Sequence, residues 1–206
     1  MYARTTEFTG GSGRLDAGLA FVREEVLPTV TAIDGCIGLS CLADRSSGRC
    51  IATSAWTTQE AMRASDARIE PLRRRGSEIF GGMPRVQEWE IAALHRDHQA
   101  PDGACARVTW LRAGAEGIAE AVDVFRMVTL PKLDHIGGFV SASLLVDRDG
   151  GIGAASTVWE NREAMVASRA EADRLRQQVK DESRGEIIEV AEFELVLAHL
   201  HVPEMV

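Results

Sequence analysis

The stretch from Leu27 to Leu72 is written twice in this chain of 206 residues. A slide of 103 positions lays LPTVTAIDGCIGLSCLADRSSGRCIATSAWTTQEAMRAS over LPKLDHIGGFVSASLLVDRDGGIGAASTVWENREAMVAS without a gap. Leu27/Leu130, Pro28/Pro131, Gly35/Gly138, Asp44/Asp147, Arg45/Arg148, Trp56/Trp159 and Glu60-Ala61-Met62/Glu163-Ala164-Met165 coincide. A gapless repeat of this length marks a duplicated structural unit, and it restricts the chain to folds that two copies of one module can build. Each copy has the size of a small domain. The division read from the repeat is a first module at 1–95, a polar linker at 96–104 broken by Pro101 and Gly103, and a second module at 105–206.

Within a copy the hydrophobic period alternates between two and about 3.6. Met1–Phe8 alternates and suits a strand, and GGSG at 10–13 ends it. Leu15, Leu19, Val22, Val26 and Val30 then recur at helical spacing. Pro28 falls inside that run, so a kink or break is expected near Glu24–Leu27, with the same near Pro131. Cys36–Ala43 and Arg49–Thr57 read as a hairpin around Asp44-Arg45-Ser46-Ser47-Gly48. Gln59–Phe80 is a second helix capped by Thr57 or Thr58, and Val86–Leu94 a fourth strand. The second copy repeats the order through Cys105–Leu111, Gly117–Ile136, Phe139–Asp147, Ile152–Trp159, Arg162–Lys180 and Ile187–His199. The order βαββαβ is the ferredoxin-like arrangement, with helices on one face of the sheet. The expected class is α+β: two tandem modules packed sheet on sheet as an intramolecular pseudo-dimeric α/β barrel, four helices outside. Further homo-oligomerisation is left open.

Composition narrows the partners. Lys+Arg number 23 against 31 Asp+Glu, a formal charge of −8, which argues against a nucleic-acid partner. Arg73-Arg74-Arg75 sits late in a helix, where cations are favourable without a phosphate to bind. The absence of any 18-residue apolar run excludes a membrane span, and MYARTTEF lacks a signal-peptide layout, so a cytoplasmic protein is expected. Cys36, Cys41, Cys50 and Cys105 show no metal-site spacing and read as buried thiols. His95, His98, His199 and His201 could hold a metal only where two strand ends meet. No metal or cofactor is expected.

The pattern LPTVTAIDG/LPKLDHIGG, hairpin, then SAWTTQEAM/TVWENREAM resembles the antibiotic-biosynthesis-monooxygenase-like family of the dimeric α/β barrel superfamily. The resemblance covers both halves. It implies a barrel that two subunits usually assemble, and, among enzymatic members, oxidation of aromatic polyketides without metal or flavin, or haem degradation. The haem-degrading pattern of an Asn, a Trp and a His is not matched: the helix positions fall on Ser65 and near Arg74, and on Ser168 and near Gln177. Quinone-forming members use Trp, Asn, Tyr and Arg around a pocket between sheet and helices; Trp56 and Trp159 occur here, but Asn161 is the only Asn and Tyr2 the only Tyr, a departure from that pattern.

Two readings follow. One is a cofactor-independent oxygenase-like enzyme acting on a small apolar or aromatic ligand, in a cavity of the second half lined by Trp110, Trp159 and Asn161, with His135 and Arg107 as catalytic groups. The other is a non-catalytic small-molecule-binding or structural relative. Arg4/Arg107 and Glu88/Glu192 can form a repeated cross-strand ion pair, or an arginine that holds an anionic substrate. Trp56 and Trp159 suit core packing or ligand stacking, and Trp89 and Phe193 suit core.

Overall fold

The computed structural model describes residues 1–200 and Pro203. The first copy runs β1 (Tyr2–Thr9), α1 (Leu15–Phe21), a π turn (Val22–Val26), α2 (Leu27–Thr31), β2 (Cys36–Asp44), β3 (Arg49–Trp56), α3 (Gln59–Ala64), α4 (Asp66–Phe80) and β4 (Arg85–Arg96). The second runs β5 (Cys105–Arg112), α5 (Ala115–Val124), a π turn (Phe125–Thr129), α6 (Leu130–Leu133), β6 (Phe139–Asp147), β7 (Ile152–Trp159), α7 (Arg162–Ala167), α8 (Arg169–Glu182) and β8 (Glu186–Leu200). The break expected before each proline is this π turn. Proline lacks the N–H that the ordinary i→i−4 ladder needs, and a widened turn just ahead of it lets the chain keep its direction with Pro28 and Pro131 in the opening turn of the next helix.

Each second helix is split at a serine. Ser65 and Ser168 close the short helices α3 and α7, and their hydroxyls donate to the Met62 and Met165 carbonyls at 2.6 and 2.8 Å. Gly35 and Gly138 lie in the turns that lead from the first helices into β2 and β6, at φ 84° and 78°. A Cβ there would also lie 2.6 and 2.5 Å from the Ala61 and Ala164 Cβ atoms, so glycine is required twice over.

The strands are hydrogen-bonded in the closed order β1-β3-β2-β8-β5-β7-β6-β4, an antiparallel α+β barrel of two ferredoxin-like modules. Registers repeat residue for residue: Arg4 faces Ser54 as Arg107 faces Thr157, and the bulge between Cys36 and Gly38 recurs between Phe139 and Ser141. The chain forms two compact units, which are not its sequential halves. Residues 194–200 of β8 go with 1–89, and the rest of β4 goes with the second unit, at 90–193. In the first unit, Leu42 and Ala43 pair with Leu195 and Glu194; in the second, Glu90 pairs with Val146.

Each unit is anchored by a tryptophan at the end of its third strand. Trp56 and Trp159 are fully buried, and their indole N–H groups donate to Ser54 and Thr157 hydroxyls at 3.0 and 3.2 Å. Burial of a side chain this size stabilises by on the order of 4–6 kcal/mol before entropy is subtracted. Trp89 and Phe193 are also core. The cysteines are free; Cys41 and Cys50 touch at 3.4 Å between sulfurs, and hydrogen bonding to Cys50, then burial, pushes the Cys41 thiol well above its ordinary value.

Candidate functional site

The second unit holds a partly enclosed cavity of about 70 Å³ between its sheet and its helices. Residues of four strands line its floor: Arg107, Thr109 and Leu111 of β5, Leu144 and Val146 of β6, Gly153, Ala155 and Thr157 of β7, and Ile187 of β8. This is the period-two consequence of one sheet face. Ile118, Ala121, Phe125, Thr129 and Leu133 cover one side, and Ala172, Leu175, Arg176 and Val179 the other. The β5/β7 register sets Arg107 against Thr157 at one end and Leu111 against Gly153 at the other, so the floor grades from polar to apolar.

The same space in the first unit is filled. Phe8 and Phe80 stack there at 4.7 Å between ring centres, 11° from parallel. Gly18 and Gly76 make room: a Cβ on Gly18 would lie 2.1 Å from the Phe80 ring, and one on Gly76 2.7 Å from Phe8. Under the 103-residue shift these four residues become Leu111, Ser183, Ala121 and Val179. Two rings are lost, a few methyl groups are gained, and the difference is the cavity. The first unit has a wider depression of about 380 Å³ lined by Pro71, Arg74, Arg75, Glu78 and Ile79, but those residues share the outer side of α4, and that volume is open space above one helix.

Arg107, 2% exposed, is held from three sides. It donates to Glu192 at 3.0 and 3.2 Å, to the Ser168 hydroxyl at 3.0 Å and to the Met165 carbonyl at 2.6 Å. Arg4 repeats this with Ser65 at 3.1 Å and Glu88 at 2.9 Å. The cross-strand ion pair is therefore present in both units and faces the helices. Partial burial raises the Glu192 pKa, the largest single contribution, but hydrogen bonds and charge from Arg169 and Arg107 bring it below the usual carboxylate range. Arg176 pairs with Asp173; burial first, and the Arg107 charge second, lower its pKa.

Of the residues expected to form the site, only Arg107 lines the cavity. Trp159 lies in the core beside Phe139. Trp110 alternates with Thr109 and Leu111 and so belongs to the opposite sheet face. Asn161 is exposed and caps α7, its carbonyl oxygen accepting from Ala164 N–H at 2.9 Å. His135 is exposed in the turn after α6. His95 pairs with Asp134 and His98 with Asp97, each at 2.8 Å, and His201 lies outside the described residues. Arg73, Arg74 and Arg75 are each ion-paired, to Asp66, Glu70 and Glu25. Sequence reading missed Thr129, Arg176 and the Leu111/Ser183 opening. The signal available was a change of size or polarity across the repeat: Val26 to Thr129, Phe8 to Leu111, Phe80 to Ser183.

A duplicated ferredoxin-like chain with this closed strand order has the fold of the antibiotic-biosynthesis-monooxygenase-like proteins. No family model matches it. The chain belongs to the family of uncharacterized protein Rv2557 of Mycobacterium tuberculosis, with 47% identity over 206 residues, covering 100% of this chain and 92% of that protein. A putative monooxygenase from Fusobacterium nucleatum superposes with TM-score 0.73 at 14% identity, covering 99% of this chain and 95% of that one. An anthrone oxidase-like protein superposes with TM-score 0.70 at 16% identity, covering 99% and 94%. Among the described residues no helix is long and apolar enough to cross a membrane.

Proposed function

We propose that the second unit binds a small, mainly apolar molecule and oxidises it without metal or flavin. The supporting observation is the partly enclosed, mainly apolar cavity with Arg107 and Arg176 on its wall. A guanidinium in such surroundings stabilises negative charge on a ligand oxygen, so an enolisable substrate ionises more readily there than in water. The enolate then reduces dioxygen, and the net change is CH2 + O2 → C=O + H2O. Size restricts the substrate. The cavity holds about half of the ~150 Å³ that accommodates a benzene ring, so the ligand has at most one ring, and Leu111, Leu175 and Val179 must give way to admit it. That is smaller than a three-ring anthrone.

A second reading, binding without turnover, is favoured by one observation. Among the described residues that line the cavity there is no His, Asp, Glu, Cys or Tyr, so none of them is suited to take a proton near neutral pH. Oxygen consumption with a graded series from cyclohexane-1,3-dione to an anthrone separates the readings. The oxygenase reading expects uptake on the smallest members, abolished by Leu111→Phe. Calorimetric binding with no oxygen uptake supports the second reading. No binding by any member would sink both.

A further inference from the structure

Thr129 is 7% exposed, lines the cavity, and its hydroxyl has no hydrogen-bond partner among the described residues. A threonine in a helix ordinarily bonds back to the carbonyl four residues earlier, as Thr31 does to Leu27 at 2.7 Å. The carbonyl four before Thr129 is that of Phe125, which in the π turn accepts the N–H of Leu130. The fold does not need a hydroxyl at this position, because the first unit has Val26 there. A buried hydroxyl left in this state is poised for a partner brought from outside.

Charge says what kind. Arg107, Arg169 and Arg176 gather around Glu192 and Asp173, three cations to two anions. Asp173 is largely in solvent and compensates poorly for a cation on the cavity wall. The opposite end, Leu111, Ile118 and Val179, is hydrocarbon. We infer that this cavity takes a carboxylate on a compact apolar body, a short branched or single-ring acid whose charged head is held by Arg176, the Arg107 charge and the Thr129 hydroxyl. This deepens the reading above and rests on its claim that the second unit binds a small molecule. The small volume and apolar wall disfavour a phosphate dianion.

Titration calorimetry at pH 7 with isobutyrate and benzoate, against the neutral isosteres isobutyramide and benzamide, tests it. Carboxylates are expected to bind at least about tenfold more tightly than their amides. Thr129→Val, which installs the residue of the first unit, is expected to weaken carboxylate binding roughly tenfold while the melting temperature stays level or rises. Arg176→Gln is expected to erase the preference for charge. Amides binding as well as acids, or carboxylate affinity unchanged in Thr129→Val, would overturn this inference and leave small-molecule binding intact. Failure of all four compounds to bind overturns this inference, and the reading above falls with it only where the dione series also fails to bind.

Discussion

The two units share registers, bulges, caps and a buried Arg–Glu pair, yet one is filled and the other hollow. Phe8 and Phe80 occupy in the first what Leu111 and Ser183 leave open in the second. The Arg4 and Arg107 networks show which features the fold itself demands, because they occur in both units. Thr129 and the open space beside it occur in one, so the fold alone does not explain them.

That contrast can be broken experimentally. Phe80→Ala should carry the largest effect, a loss of about 3–5 kcal/mol in chemical denaturation, because the stacked plug is buried on all sides. Its counterpart Ser183→Ala should cost under about 1 kcal/mol. Equal losses would mean that the filled and hollow units do not differ energetically. Next, Gly18→Ala should destabilise by about 1–3 kcal/mol, since the new methyl meets the Phe80 ring, while Ala121→Gly should cost only about 0.5–1 kcal/mol of helix propensity.

Gly153→Ala works in the opposite direction. Its Cβ would meet the Ile118 side chain at 3.7 Å, ordinary contact, so the substitution should stabilise by about 0.4–1 kcal/mol and narrow the cavity. Reduced stability would show that the space is already occupied by the walls. The smallest effect concerns acid. Burial is the largest single influence on Asp44 and raises its pKa, but hydrogen bonds from the Ser46 and Ser47 side chains and backbone outweigh it and hold the pKa at about 2, below the ordinary 3.8. A carboxylate depressed in this way stabilises the fold above the ordinary value, and its contribution is lost as pH falls through about 2. Asp44→Asn should therefore cost roughly 0.5 kcal/mol at pH 6, discounted for solvent screening, and nothing at pH 1.5, measured by fluorescence-monitored denaturation.

Much of the fold was legible because repeat and period are local properties. Phe139–Asp147 and Ile152–Trp159 are strands at the residues the alternation marked, and the proline break became a π turn one step earlier than a kink would fall. The site was less legible. Arg107 could be found because it repeats with a charged partner. His135 and Asn161 also differ between the copies, but their roles are a turn and a helix cap, and no sequence pattern distinguishes a polar residue that faces a cavity from one that faces solvent.

The sequence by itself determined the duplicated βαββαβ order and the hairpins, because each depends on residues whose spacing follows the chain. Tertiary structure decided which copy is hollow. Phe8 and Phe80 lie 72 positions apart and meet only when β1 and α4 pack; the cavity beside Leu111 is a volume left between elements, and volume is set by the sum of side chains from distant segments.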